Sequence, residues 1–136
     1  MDALGLLAYF VGAWHCGAVL WTFSPLTVGG PWLKVVYGDP ARPGGTAVAG
    51  YVKGLDRYVY RDFHADGAYA DLTSPPPRDG RWEWSGPYYP AGATTPLSGL
   101  VVYLQRDPAH YERTFQTLRD GRLVPMGGDT CTKDAP

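Results

Sequence analysis

Phe10-Val11-Gly12-Ala13-Trp14-His15-Cys16 is the stretch where the chain changes its period. Before it, Leu4, Leu7 and Phe10 recur at helical spacing, and Asp2 stands where a short helix would take its N-cap. After Gly12 the apolar residues alternate with a period of two, as in a strand with one buried face. Glycine suits the junction, because it lets a helix turn sharply into a strand. The stretch predicts about two helical turns followed by the first strand of a β domain.

The alternation continues almost to the C-terminus. Strands are expected over residues 13–21, 32–37, 46–53, 57–64, 68–73, 81–85, 97–106 and 110–118, with a last one reaching Lys133. Gly54-Leu55-Asp56, Ala65-Asp66-Gly67, Asp79-Gly80, Asp107-Pro108 and Asp120-Gly121 supply turns between them, and Ser74-Pro75-Pro76-Pro77 and residues 87–96 supply longer breaks. The 18 glycines and 13 prolines fall between the runs rather than in one linker. About nine antiparallel strands, within a range of roughly 8–10, then follow one another with short connections. Such a meander exposes its edges unless it closes. The predicted fold is all-β: a closed antiparallel up-and-down barrel with a short N-terminal helix plugging one end. A β-sandwich is the alternative that strand number alone leaves open.

Bulk composition agrees with one globular unit. A chain of 136 residues has room for one core, so residues 1–136 read as a single domain. Hydrophobic residues make up 45% and aromatic residues 14%, ample for a packed interior. The formal net charge is −1 and no run of Lys or Arg occurs, which removes the electrostatic footprint of a nucleic-acid or anionic-membrane partner. No apolar run approaches the ~18–20 residues of a spanning helix, so no membrane insertion is expected. The longest, residues 4–11, has no basic segment before it and does not read as a signal peptide. The compartment stays open: cytoplasmic, or exported with its leader removed.

Phe10-Val11-Gly12-Ala13-Trp14-His15 resembles the first lipocalin signature, in which a short helix runs into Gly-x-Trp at the head of strand one. In that family the Trp plugs the closed end of the barrel, and a basic residue of the last strand lies across it. Lys133 is placed for that role, with Arg113 as second candidate. Gly50-Tyr51, Arg57-Tyr58-Val59, Asp66-Gly67, Thr73-Ser74-Pro75, Asp79-Gly80 and Trp82-x-Trp84-x-Gly86 are similar in order and spacing to bacterial lipocalin-like domains of the calycin superfamily whose function is unknown. With Trp14-His15-Cys16 and Cys131-Thr132-Lys133 the likeness spans nearly the whole chain. Ser74-Pro75-Pro76-Pro77 departs from it, standing where Ser-Pro-Gly and an aromatic would be expected. The resemblance implies a barrel with an internal cavity and structural roles for Gly12, Trp14 and Lys133. It implies no reaction.

Closure also bears on the two cysteines. Cys16 and Cys131 match no zinc spacing and no C-x-x-C motif. If the first and last strands are neighbours, the two meet across that seam, with Cα atoms expected within roughly 4.4–6.8 Å. They then form either a disulfide or a pair of buried thiols packed as small apolar groups.

Alternation sorts the remaining candidates by face. Trp82 and Trp84 share one face of their strand, and Tyr58, Tyr60, Asp62 and His64 share one face of theirs. Tyr111, Phe115 and Thr117 share a face with Arg113, which puts a guanidinium on the apolar side, either stacked on an aromatic at the closed end or anchoring an anionic ligand group. Tyr58, Tyr60, Trp82, Trp84, Tyr103, Tyr111, Arg113 and Phe115 are the expected ligand-binding residues. A barrel this wide keeps a cavity, and an aromatic lining suits a flat or polyene molecule. The expected function is binding of a small hydrophobic or aromatic molecule by a monomer or homodimer. A cofactor-free cyclase or isomerase using Tyr60, His64 or Arg113 is the rival, with Asp62 and His64 a conceivable acid–base pair. Haem binding through His64, as in nitrobindin-like barrels, is the weaker alternative; no other cofactor is expected. His15 should face outward, and His110 begins a strand beside a turn. No histidine has a partner at metal-ligand spacing, no Gly-x-Ser-x-Gly elbow occurs, and Gly127-Gly128 should precede a strand rather than open a phosphate-binding helix.

Overall fold

Helical order ends at Phe10. Helix α1 (Ala3–Leu7) tightens into a 3-10 turn (Ala8–Phe10), and β1 (Gly12–Cys16) begins after one intervening residue. This computed structural model describes residues 3–28, 30–39 and 41–135, with side chains from residue 5 onward. Asp2, the expected N-cap, and the side chain of Leu4 lie outside the described residues. Leu7 and Phe10 are buried on the face that the helical spacing indicates. Among the described residues no helix is long and apolar enough to cross a membrane.

Nine further strands follow: β2 (Val19–Pro25), β3 (Leu33–Asp39), β4 (Arg42–Val52), β5 (Arg57–His64), β6 (Tyr69–Ser74), β7 (Arg81–Tyr89), β8 (Leu97–Asp107), β9 (His110–Arg119) and β10 (Arg122–Lys133). Each pairs antiparallel with the next, and β10 pairs with β1, so the sheet closes into a barrel with no free edge. The sandwich alternative is thereby removed.

Two expectations need correction. Residues 13–21 do not form one strand. Gly17 adopts φ +62° and turns the chain after Cys16, so that Cys16 pairs with Val19 and Trp14 with Trp21. A two-residue loop with glycine first suits a tight hairpin, since glycine alone reaches positive φ without strain. Gly127 and Gly128 lie inside β10 rather than before a strand, and the register slips by a bulge between Pro125 and Gly127.

The β1–β10 seam that closes the barrel is a short ladder, with Trp14 opposite Lys133, His15 opposite Thr132 and Cys16 opposite Cys131. The two cysteines form a disulfide across it. Their Cα atoms are 4.1 Å apart, just short of the expected range, because they face each other directly at the close spacing of an antiparallel pair.

The helical end of the barrel is filled by rings. Trp14 is wholly buried and donates its indole N–H to the Phe10 carbonyl at 2.9 Å. Phe10 sits edge-on to Tyr111 and Trp82, and Tyr111 is edge-on to Trp14. The Tyr9 hydroxyl lies 2.7 and 2.9 Å from the carbonyls of Asp107 and His110, which fastens the plug to the turn between β8 and β9. Lys133, not Arg113, lies over Trp14, its ammonium 5.5 Å from the ring centre. To reach it the lysine chain crosses Gly12, where a Cβ would fall 2.7 Å from Lys133 Cε. Gly12 also holds φ +134°, a conformation that side-chain-bearing residues rarely adopt. Gly12→Ala is expected to cost about 1–3 kcal/mol through that backbone strain. Urea unfolding of the variant checks this, and an unchanged midpoint would show that the junction does not require glycine.

Candidate functional site

Strand alternation carries one set of side chains into the barrel, and their position along each strand decides what they meet. Near the helical end Tyr58, Trp82 and Tyr111 are fully buried and pack with Phe10 and Trp14. Two residues further along the same strands, Tyr60, Trp84 and Arg113 reach a cavity of about 380 Å³. This volume lies within the range of small-molecule sites, roughly 300–1,000 Å³. It opens at the end remote from α1, where Tyr88, Leu97 and Met126 form the rim.

Of the residues singled out from sequence, Tyr60, Trp84, Tyr103, Arg113 and Phe115 line the cavity. Tyr58, Trp82 and Tyr111 face the interior but lie beneath it, within the packed plug. Trp82 and Trp84 stack at 5.6 Å with nearly parallel planes, so the floor continues into the wall without a break. Trp84 is 3% exposed and its indole nitrogen is buried with no partner among the described residues; the same holds for the indole nitrogen of Trp21. Both rings therefore offer carbon, not N–H, to the open space.

Arg113 is at mid-barrel rather than at the closed end. Its guanidinium lies 4.6 Å over the Trp21 ring and 5.2 Å from that of Phe115. Asp129, directly opposite on β10, accepts from Nε at 2.8 Å and from Nη2 at 2.6 Å. Burial opposes the charge on Arg113, but the Asp129 carboxylate outweighs it and holds the guanidinium protonated. A bidentate pair of this kind satisfies both partners and leaves Arg113 with its charge already balanced.

Asp62 is the second ionisable group of the lining. Tyr37 donates its hydroxyl to Asp62 Oδ1 at 2.7 Å, and the Tyr37 ring stacks on Trp21 at 4.1 Å. Burial raises the Asp62 carboxyl above the ordinary range, against the opposing pull of the Tyr37 hydroxyl, His64 and the Phe63 N–H. No cation among the described residues forms an ion pair with it. Burial pushes the Tyr60 phenol well up and raises that of Tyr103 despite the opposing Arg113 charge, so both are neutral hydroxyls.

His64 shares the inward face with Asp62 but is committed elsewhere. Its Nδ1 lies 2.7 Å from Asp66 Oδ1, beyond the cavity wall, at the turn that the sequence indicates. Asp62 and His64 are thus each engaged by another partner, Tyr37 and Asp66. Among the described residues no histidine lines the cavity; His15 pairs with Asp134 at 3.0 Å and His110 with Asp107 at 2.9 Å on the outer surface. Among the described residues no group of three His, Cys, Asp or Glu side chains could hold a metal ion.

The structure adds wall residues that sequence reasoning did not single out, chiefly Trp21, Leu72, Val101 and Gln116. Trp21 was concealed by the unseen hairpin: seven positions after Trp14 in one strand it would face outward, and the Gly17 turn reverses that parity. Gly17 was the available signal. Compared with known proteins, the chain matches no family model and no curated protein.

Proposed function

We propose that the barrel binds a small hydrophobic or aromatic molecule in the cavity above its aromatic plug, as a lipocalin-like module of the calycin type. The observation that carries the reading is the division of the interior: Tyr58, Trp82 and Tyr111 close one end by packing, while the same strands diverge around about 380 Å³ at the other. Ten strands enclose more volume than side chains fill, and the surplus here is walled mainly by rings and aliphatic groups. Water gains little from such a wall, whereas an apolar occupant gains burial. The helix running into Gly12-x-Trp14, with Lys133 over the indole, supports the lipocalin-like part of the reading.

The neutral fluorophore N-phenyl-naphthylamine is expected to bind with a Kd of about 1 μM or tighter and to quench tryptophan emission. Trp84→Ala removes a ring from the wall and is expected to weaken this binding about tenfold, with Tyr60→Phe having a smaller effect. Circular dichroism should show both variants folded. No uptake of the probe by the folded wild-type protein would overturn the reading.

A further inference from the structure

One carboxyl group of the cavity wall has no cationic partner among the described residues. Among the described residues the lining contains one carboxylic acid, Asp62, and one basic side chain, Arg113, and Arg113 is already matched by Asp129 in a bidentate pair. What remains is the Asp62 carboxylate, held by a neutral phenol and by no cation among the described residues. The nearest histidine adds no surplus positive charge, since His64 lies against Asp66. A carboxylate in an apolar chamber is costly until a cation reaches it. The surrounding rings favour the same guest, because the faces of Trp and Tyr attract cations. An anionic guest would meet the opposite situation, with Arg113 occupied and Asp62 repelling it.

Resting on the binding function proposed above, we infer that the natural occupant is an amine: an apolar or aromatic body seated against Tyr60, Trp84 and Tyr103, with its ammonium group on Asp62. Arg113 then serves as a fixed part of the wall, held in place by Trp21, Phe115 and Asp129, and does not anchor a ligand carboxylate.

Three probes with one skeleton test this: naphthylethylamine, naphthylethanol and naphthylacetic acid, titrated calorimetrically into the wild-type protein at neutral pH. The amine is expected to bind about 10- to 100-fold tighter than the alcohol, and the acid more weakly than either. Asp62→Asn keeps the shape and an acceptor for Tyr37, and it should erase the preference for the amine over the alcohol. Equal affinity for amine and alcohol would overturn the amine assignment while leaving small-molecule binding intact. Tightest binding of the acid would overturn it in favour of Arg113 as anchor, and so would an amine preference that survives Asp62→Asn. Failure of all three probes while N-phenyl-naphthylamine still binds would overturn the amine assignment alone, whereas failure of all four would overturn the binding function itself. Should Asp62→Asn lose the alcohol as well, the wild-type ranking decides.

Discussion

Trp14→Ala is expected to cost about 3–5 kcal/mol of folding free energy. The indole is wholly inaccessible and touches the rings of Tyr9 and Tyr111. Alanine would leave a void that the surrounding strands cannot collapse into, because the barrel fixes their spacing. It would also strip the Phe10 carbonyl of its indole donor and leave the Lys133 ammonium with no ring beneath it. Urea unfolding monitored by circular dichroism measures the loss. A cost below about 1 kcal/mol would mean that the Gly12-x-Trp14 pattern is not what holds the helix against the barrel.

Removing the disulfide should have a comparable effect by a different route. The bond joins residues 115 positions apart, and in the chain-entropy model a loop of that length stabilises by about 4–5 kcal/mol. It staples the ladder in which only Trp14, His15 and Cys16 find partners on β10. The Cys16→Ala/Cys131→Ala double variant should therefore lose about that much stability, and its amide protons on β1 should exchange with solvent before those of β4 or β5. Unfolding midpoints of the oxidised protein and the variant, together with hydrogen exchange by strand, check both parts. Uniform exchange across the sheet would show that closure does not depend on the covalent link.

The strand plan was legible wherever two kinds of signal agreed. In β5 the alternation of Tyr58, Tyr60, Asp62 and His64 ends at Ala65-Asp66-Gly67, and the observed bounds, Arg57–His64, coincide with the expected ones. Closure was legible because a long meander of short connections exposes its edges unless it closes, and the observed seam pairs the two cysteines. Depth along the barrel axis was not. Trp82 and Trp84 share a face and differ by two residues, yet one lies in the plug and the other in the cavity wall; the same division separates Tyr58 from Tyr60 and Tyr111 from Arg113. Alternation encodes which way a side chain points and carries no information on how far along the axis it sits. The state of Arg113 was hidden for a related reason. Its partner Asp129 comes opposite only after the bulge between Pro125 and Gly127 resets the register, and a bulge leaves little trace in an alternating pattern.

The covalent seam has a mechanical consequence. Tension applied through the two ends of the chain would travel along α1 and β1 to Cys16, cross to Cys131, and leave by the last residues of β10. Everything from residue 17 to residue 130 lies off that covalent path, so stretching the molecule would load the helical plug and its contacts first, and once these had given way the disulfide would carry the tension past the cavity. Reduction would reroute the pull through the hydrogen-bonded ladders, making the thiol state of one bond decide whether the chamber resists extension or unravels with the chain.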